Sequence, residues 1–332
     1  MIFFLILFNF ITIYFFDYFS KKINIYDIPD KKRKIHKKKI SLLGGLLIFI
    51  SFLILFFFQL FEDSLTFLSL ISKRDIISFL FFISASFLIG LYDDKFNLAP
   101  NTKLFLFFLN FLSLLSLNPN FIINSLYFDT FGYKIFLHNF SILFTIFCLL
   151  LFVNSFNMYD GINCQSGFYS LIIFSYFIIQ NIYQDFLLLI LIPILFFLYL
   201  NYKNKSFLGN GGSYFISSLI GLIFIDAYNK NLFNNVEQIF LIMAIPGLDT
   251  LRVSINRIIK GTHPFRPDNN HIHHLLLLRF NLFYTNLILA LLVIFPLFLH
   301  FANLKIKYCF FTVTFTYFFI LFNIKKNYFS IK

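Results

Sequence analysis

The stretch LFTIFCLLLFVNSFNMYDGINCQSG, residues 143–167, changes abruptly from apolar side chains to amides, a carboxylate and glycines. Residues 143–153 are almost entirely apolar, as in a membrane span. An ionisable group at a membrane boundary, here Asp160, is costly unless it faces a polar cavity. The stretch therefore predicts a membrane helix that ends in a candidate site. The alternative is a polar helix cap, because Asn and Asp cap helices and Gly161 suits a turn.

Similar apolar runs recur along the whole chain. Of its 332 residues, 59% are hydrophobic and 13% are charged, which excludes an ordinary water-soluble core and fits a polytopic membrane protein. We predict an all-α bundle of about eleven transmembrane helices in a single domain, with the loops of the candidate site on the cytoplasmic side. The predicted spans are 2–19, 42–60, 75–92, 103–118, 141–154, 167–183, 185–202, 213–228, 237–258, 282–302 and 308–323.

The formal charge of +12 raises the question of a nucleic-acid partner. Cytoplasmic loops of membrane proteins carry an excess of Lys and Arg. If the N-terminus is outside, six of the 27 basic residues fall in outer segments and the other 21 on the inner side. The six are Lys73, Arg74, Lys134, Lys230, Lys305 and Lys307. The excess therefore indicates orientation, and we predict no nucleic-acid partner.

A carboxylate pair, Asp93 and Asp94, lies where the third predicted span ends on the inner side. Adjacent carboxylates repel each other and need a cation or a proton, and Lys95 or Lys103 is a candidate for that cation. Pro100 predicts a helix start. Lys103 would then lie in the first turn, where free N–H groups and the helix dipole also favour a phosphate. A solvated interfacial loop is the alternative.

Two further polar segments are predicted on the inner side. The segment FLGNGGSYF, residues 207–215, is a glycine-rich helix start, which can donate N–H groups to a phosphate but is also typical of a tight turn. The segment GTHPFRPDNNHIHHLLLL, residues 261–278, is predicted to become helical after its prolines. We predict His271 and His274 on one helix face with His273 alongside, a spacing suited to a metal or an anionic diphosphate.

Two other charged groups receive weaker interpretations. The first inner loop, residues 21–45, is lysine-rich, and most of its lysines are expected to anchor it to anionic headgroups. We keep a phosphate-contact hypothesis there for Arg33, Lys34 and His36. Upstream of the histidines, Asp249 and Arg252 are one turn apart, and an ion pair between them is the simplest interpretation.

The predicted position of the four polar segments on one side is the main argument for a site. The count of basic residues did not require Asp93, Asp160, Asn210 and His271 to lie on the same side. Their convergence predicts a polar cavity that suits a water-soluble phosphorylated substrate and a reactant held in the bilayer.

Five motifs in order resemble the polyprenyl-phosphate N-acetylhexosamine-1-phosphate transferase family (glycosyltransferase family 4): DIPDKKRKIH with GG, DDKFNLAPNTK, NSFNMYDGIN, FLGNGGS and HPFRPDNNHIHH. The last motif is similar to the branch that transfers N-acetylglucosamine-1-phosphate for O-antigen, enterobacterial antigen or teichoic-acid linkage. The resemblance implies a bacterial plasma-membrane enzyme that transfers a sugar-1-phosphate from a UDP-sugar to polyprenyl (undecaprenyl) phosphate and releases UMP. It also implies Mg²⁺ or Mn²⁺ at the donor diphosphate.

The resemblance further implies roles for individual residues. The catalytic aspartates correspond to Asp93, Asp94 and Asp160. The metal positions correspond to Asn157 and Asn210. The substrate-binding positions correspond to Lys103, Asn154, Asn163, His271, His273 and His274.

The chain departs from the family pattern at several positions. Asn210 stands where the family usually has an aspartate ligand, and Cys164 and Gln165 stand where Gly-Leu is usual. Lys39 and Ser41 replace common prolines. An amide oxygen binds Mg²⁺ without adding a negative charge, so weaker metal binding is expected. A catalytically impaired paralogue therefore stays open as an alternative.

A non-enzymatic transporter of polyprenyl lipid or another solute is the rival from a different class. Such a transporter typically has internal repeats with paired broken helices, and the sequence shows no such self-similarity. The expected partners are polyprenyl phosphate, a UDP-sugar and membrane lipid. The donor sugar, the polyprenyl length, the pathway and the oligomeric state stay open, with a homodimer as one alternative for the last.

Overall fold

A computed structural model of the chain describes residues 1–29, 38–61, 72–233, 235–262, 264 and 268–329. Its helices are α1 (Ile2–Tyr14), α2 (Phe16–Ile23), α3 (Gly44–Phe61), α4 (Lys73–Phe96), α5 (Pro100–Leu117), α6 (Ser141–Tyr159), α7 (Gln165–Ile179), α8 (Gln184–Tyr202), α9 (Gly209–Asn229), α10 (Val236–Ile259), α11 (Ile272–Leu277), α12 (Leu282–Phe301) and α13 (Ile306–Phe329). Short antiparallel pairs join β1 (Tyr26–Asp27) to β2 (Ile40–Ser41) and β3 (Ser125–Phe128) to β4 (Tyr133–Phe136). The chain is an all-α polytopic bundle, as predicted.

Nine helices within the described ranges are long and apolar enough to cross a membrane. The eleven predicted spans differ from them at two places. The first span is a pair, α1 and α2, bent by 65°, and Asp17, Lys21 and Lys22 make the second half polar. The sixth, α7, has 15 residues, or roughly 22 Å of helix, which falls short of the hydrocarbon thickness.

The central helix of the bundle is α9, which is buried along almost its whole length. Its first turn is approached closely by α4, because Gly90 has no side chain: an added Cβ would lie 2.4 Å from the carbonyl oxygen of Asn210. On another side α3 approaches through Gly45, where an added Cβ would lie 2.2 Å from the Cα of Gly212. These glycines therefore bring together the end of α4 and the starts of α3 and α9. The three helix ends form the polar end of the bundle.

A test of this contact is the Gly90→Ala variant. We expect it to destabilise the folded protein by about 1–3 kcal/mol. The added methyl group would clash with the backbone carbonyl of Asn210, which cannot move away as a flexible side chain can. Gly247→Ala is the matched control, since Gly247 lies in α10 and an added Cβ there meets nothing within 4 Å. Thermal unfolding in detergent measures both variants. Equal melting temperatures would contradict the close approach of α4 to α9.

The opposite end of the bundle carries the hairpin of β3 and β4. The Glu237 carboxylate at the start of α10 accepts hydrogen bonds from the backbone N–H groups of Asp129 and Thr130, at 2.6 and 3.1 Å. This contact fastens the hairpin to the bundle. No chemistry was expected at this end from the sequence.

Candidate active site

The predicted carboxylate pair lies on the last turn of α4, beside the first turn of α9. The Asp94 carboxylate accepts hydrogen bonds from the backbone N–H groups of Asn210 and Gly211, at 2.9 and 3.2 Å. A carboxylate at a helix N-terminus is stabilised by the dipole and by these N–H groups. Asp94 therefore occupies the donors that the glycine-rich segment was expected to offer to a phosphate.

The other carboxylate, Asp93, is buried with 1% of its side chain exposed. It lies 2.7 Å from the ammonium group of Lys103, which is 26% exposed, and it accepts a hydrogen bond from Nδ2 of Asn210 at 2.8 Å. The backbone N–H of Leu98 donates to it at 2.8 Å. The prediction that a lysine neutralises the pair is confirmed for Lys103, whereas the amine of Lys95 lies 5.2 Å from the Phe96 ring centroid.

Asp160 directly follows α6 and is held by the next helix. The hydroxyl of Ser166, on the first turn of α7, donates a hydrogen bond to Oδ1 of Asp160 at 2.5 Å. Burial raises the pKa of Asp160 to about 6, although the Ser166 hydrogen bond lowers it. Asp160 is the C-cap residue of α6, as the alternative predicted, and its side chain in addition joins the loop to α7.

The loop that carries Asp160 is anchored to the end of α8. Asn163 donates to the carbonyl oxygen of Asn201 at 3.1 Å and to Oδ1 of Asn204 at 2.6 Å. Cys164 has φ +68°, in the left-handed region that costs a non-glycine residue roughly 1–2 kcal/mol. This conformation explains why glycine is usual at that position in the family that the chain resembles.

The other two asparagines lie on α6 itself. Nδ2 of Asn154 donates to the carbonyl oxygen of Leu150, one turn earlier, at 2.7 Å. Asn157 is half-buried and lies one turn before Asp160. The substrate role of Asn154 and Asn163 and the metal role of Asn157 stay predictions. Sequence reasoning did not single out Ser166, whose signal is only its place in the same polar stretch.

The histidine segment begins α11. The helical prediction holds from Ile272 onward but is wrong for His271, which is extended (φ −64°, ψ 150°) and precedes the helix. Nδ1 of His271 lies 2.8 Å from Oδ2 of Asp249, and Nε2 lies 3.3 Å from Nη2 of Arg257. Both ring nitrogens therefore have protein partners. The predicted pair of Asp249 and Arg252 is confirmed, at 2.7 Å.

The other two histidines lie against the loop of Asp160. Nδ1 of His273 lies 3.3 Å from Nε2 of Gln165, and a Cβ added at Gly161 would lie 2.0 Å from Nε2 of the same ring. The side chain is fully buried, and this burial holds the pKa of His273 well below its usual value, so the ring is neutral. The half-buried His274 ring stacks edgewise on it, with 4.3 Å between centroids.

All four predicted polar segments are thus joined by the structure at one end of the bundle. Asp93 and Asp160 both lie within electrostatic range of Asp94, and Lys103 bonds to one of the three carboxylates. The first-loop residues Arg33, Lys34 and His36 lie outside the described residues. The convergence predicted from the sequence is therefore observed for Asp93, Asp94, Asp160, Asn210 and the histidine segment.

The donor atoms of this site suit Mg²⁺ or Mn²⁺ in kind. Three carboxylates with one paired lysine leave an excess of negative charge, and hard cations prefer such oxygen ligands. Over the described ranges, no three Asp, Glu, His or Cys side chains form a complete metal-binding group. Mg²⁺ usually takes only one or two carboxylates and completes its shell with water and substrate phosphates. The residues present therefore fit a metal that a bound diphosphate completes.

Comparison with known proteins agrees with this geometry. The family model described as glycosyl transferase family 4 matches residues 76–228, which include the three aspartates and Asn210. The undecaprenyl-phosphate alpha-N-acetylglucosaminyl 1-phosphate transferase of Yersinia pestis is 27% identical over 284 residues, covering 77% of this chain and 70% of its own length. The protein of the same name from Escherichia coli K12 is 26% identical over 288 residues, covering 82% and 74%. Over residues 76–228, which carry three of the five motifs, the chain is similar to glycosyl transferase family 4.

Proposed function

We propose that the chain transfers a sugar-1-phosphate, N-acetylhexosamine-1-phosphate in the first instance, from a UDP-sugar to polyprenyl phosphate. The products are UMP and a polyprenyl diphosphate-sugar, which starts a lipid-linked surface glycan. The observation that carries the proposal is the convergence of Asp93, Asp94 and Asp160 with Lys103 at the end of a membrane bundle. The names of the relatives, which specify undecaprenyl phosphate and N-acetylglucosaminyl 1-phosphate, support the choice of substrates.

The reaction is an in-line phosphoryl transfer. An oxygen of the lipid phosphate attacks the β-phosphorus of the donor, the bond from the β-phosphorus to the bridging oxygen breaks, and UMP leaves with that oxygen. Both reactants are anions, so charge neutralisation is the main task of the site. The ammonium group of Lys103 is partly exposed and is held on one side by Asp93. Its remaining N–H groups can therefore donate hydrogen bonds to a phosphate oxygen.

A divalent metal, when bound, would neutralise charge on the donor diphosphate. Asp94, Asp160, Asn157 and Asn210 are the residues that would hold it. The side-chain Nδ2 of Asn210 donates to Asp93. The side-chain oxygen Oδ1 of Asn210 is therefore the atom available to a cation.

A proton acceptor is less critical, because the lipid phosphate is already largely ionised near pH 7. Of the two candidates, Asp93 accepts from Lys103, Asn210 and Leu98. For Asp160 the structure gives one hydrogen-bond donor to the side chain, the Ser166 hydroxyl, among the described residues. Asp160 is therefore the better placed of the two to take or return a proton.

The proposed orientation has the N-terminus outside and the polar end in the cytoplasm of a bacterial plasma membrane, where UDP-sugars are made. The distribution of basic residues supports it. We expect a cysteine at Asn269, exposed beside the histidines, to resist a membrane-impermeant thiol reagent in intact cells. A cysteine at exposed Asp185, at the opposite end, is the matched control and should react. Both cysteines are placed in a protein whose native cysteines have been replaced. Labelling at residue 269 and not at residue 185 would show that the orientation is the opposite of the one proposed.

Asn210 provides a test of the metal and of the impaired-paralogue alternative. We expect Asn210→Asp to lower the Mg²⁺ concentration for half-maximal activity about tenfold, roughly 1.4 kcal/mol. The new carboxylate adds a negative charge and replaces the Nδ2 donor that lies 2.8 Å from Asp93, so it should attract a cation more strongly than the amide does. A Mg²⁺ titration at saturating donor, with the Mg²⁺-dependent rise in melting temperature, measures it.

The outcomes of this titration separate the alternatives. An unchanged metal requirement in Asn210→Asp would mean that residue 210 does not contact the ion. Inactivity of both proteins at every Mg²⁺ concentration, with folding intact, would favour the catalytically impaired paralogue.

The proposed function is tested with the purified protein in liposomes that contain polyprenyl phosphate. A panel of UDP-sugars is supplied with Mg²⁺, and the lipid extract is examined for a sugar-linked diphosphate. We expect one or a few donors to give product in proportion to the UMP released. Passage of lipid or solute across the bilayer without any UMP would instead support the transporter.

A further inference from the structure

One face of α10 holds the segment that leads into the histidines. The face consists of Asp249, Arg252 and Arg257, which are spaced to lie on the same side of the helix. Asp249 and Arg257 are buried, with 1% and 5% exposure. Buried ionised groups are costly unless they are paired and hydrogen-bonded, so we expect these side chains to have specific polar partners.

Arg252 and Asp249 form hydrogen bonds with three consecutive residues, Asn270, His271 and Ile272. Nη2 of Arg252 donates to the carbonyl oxygen of Asn270 at 2.6 Å. Oδ2 of Asp249 lies 2.8 Å from Nδ1 of His271, and its Oδ1 accepts the backbone N–H of Ile272 at 3.1 Å. Backbone and side chain of the segment are therefore fixed together at the start of α11.

The second part of the contact comes from Arg257. Its Nε lies 2.9 Å from Oδ2 of Asp268, and its Nη2 lies 3.3 Å from Nε2 of His271. Partial burial tends to raise the pKa of Asp268, but the hydrogen bonds from Arg257 and Asn270 lower it to about 2. Asp268 is therefore a permanent anion under physiological conditions.

A residue of the last helix completes the network. The Tyr317 hydroxyl, on α13, donates to Oδ1 of Asp249 at 2.8 Å and accepts from Nε of Arg252 at 2.8 Å. Among the described residues, Asp249 thus has four hydrogen-bonding partners: Arg252 on α10, His271 just before α11, Ile272 on α11 and Tyr317 on α13. A fully satisfied buried network of this kind favours one arrangement of its parts.

The network reaches the reacting groups through one further contact. The residue after Ile272 is His273, whose buried ring lies against Gly161 and Gln165. Gly161 directly follows Asp160 in the loop, and Gln165 is the first residue of α7 after it. A shift at Asp249 would therefore pass through two contacts to the Asp160 carboxylate.

We propose that Asp249 is a positioning residue for the transfer reaction. It acts through His271 and the backbone of Ile272 to fix His273, and His273 in turn holds the Asp160 loop in its reacting geometry. In this role His271 bonds to Asp249 and Arg257 and does not contact the UDP-sugar donor. The inference rests on the proposed function for its catalytic part, whereas its structural part is measurable without any substrate.

Cys164 offers a reporter that is independent of activity. It lies in the Asp160 loop, 5% exposed, and burial raises the pKa of its thiol to about 11, so it is protected from thiol reagents. In a background with Cys148→Ser and Cys309→Ser, we expect Asp249→Ala to speed modification of Cys164 about tenfold or more. We also expect kcat to fall about 100-fold with little change in KM for the donor.

The controls separate positioning from a general loss of stability. Glu237→Gln weakens another buried contact of the same helix at the opposite end, and should leave Cys164 protected. Tyr317→Phe removes one hydroxyl and should act in the same direction as Asp249→Ala, by severalfold, even if the alanine variant folds poorly. The double variant Asp249→Ala, His271→Ala should lose no more activity than the stronger single variant.

Each outcome bears on the inference. Unchanged protection of Cys164 in folded Asp249→Ala, or equal exposure in Glu237→Gln, would overturn it. Additive losses in the double variant would show that Asp249 does not act through His271. Faster modification of Cys164 in a protein that shows no transferase activity even in its native form would support the positioning contact while rejecting the proposed function.

Discussion

Asp160→Asn is expected to lower kcat by about 10²–10⁴-fold while the protein remains folded. Asparagine has nearly the same shape and can still accept the Ser166 hydrogen bond, so the variant removes mainly the charge and the proton acceptor. The effect is expected to be large because, in our proposal, Asp160 would also help to hold the divalent metal that neutralises charge on the donor diphosphate. The initial rate of UMP release at saturating donor measures it.

The control for this variant is Asp185→Asn, which changes an exposed carboxylate at the opposite end of the bundle. It should retain full activity. Alanine at Asp93 or His274 is expected to abolish transfer as well, because each belongs to a different polar segment of the same site. Near-normal turnover in Asp160→Asn would remove the central assignment.

Lys103→Met is expected to lower kcat/KM for polyprenyl phosphate by about 10²–10³-fold. The variant removes the ammonium group that bonds to Asp93 and faces the lipid phosphate in our proposal. It also leaves a buried carboxylate without its ion-pair partner, although Asn210 and Leu98 still donate to it, so a moderate loss of stability should accompany the kinetic effect. Rates are measured against polyprenyl phosphate concentration at saturating donor.

Lys95→Met is the matched control, because Lys95 follows the carboxylate pair directly and is exposed. It should leave kcat/KM within a few-fold of the native value, as expected for an exposed charge. If Lys95→Met and Lys103→Met lose the same activity, the role of the salt bridge to Asp93 is contradicted and only the net charge of the surface matters.

The helices of this protein are readable from the sequence because the bilayer imposes a simple rule on composition. Each apolar run of sufficient length is a helix in the structure, and the polar residues Asp17, Lys21 and Lys22 explain why the first run bends. The contact of Asp93 with Lys103 is also predictable. The two residues are ten positions apart across a single turn, and Pro100 marks the start of the next helix.

The contacts across the bundle could not be read in the same way. Tyr317 is 68 positions from Asp249, and nothing in the composition of α13 distinguishes this tyrosine from the others. The contact of His273 with Gly161 depends on how the packing of α11 against α12 and α13 places it beside the Asp160 loop. His271 looked like a member of a helical face because its spacing to His274 was right, but the hydrogen bonds to Asp249 hold it extended at the helix start.

The role of Asn210 shows how sequence and structure combine. The departure from aspartate is visible in the sequence, and it predicts a loss of charge. The structure adds that its Nδ2 donates to Asp93 while its backbone N–H donates to Asp94. An amide can join these two carboxylates where a third carboxylate would repel them in the absence of a cation.

The most direct test of sugar-1-phosphate transfer follows the β-phosphate of the donor. The purified protein is incubated with polyprenyl phosphate, Mg²⁺ and a UDP-N-acetylhexosamine that is radiolabelled at the β-phosphorus, and the lipid and water phases are separated. Sugar-1-phosphate transfer predicts that the label enters the lipid phase as a diphosphate-linked sugar, with one UMP released for each lipid product. Label that stays in the water phase as UDP while the sugar alone enters the lipid would contradict it, because the enzyme would then break the sugar–phosphate bond instead of the diphosphate.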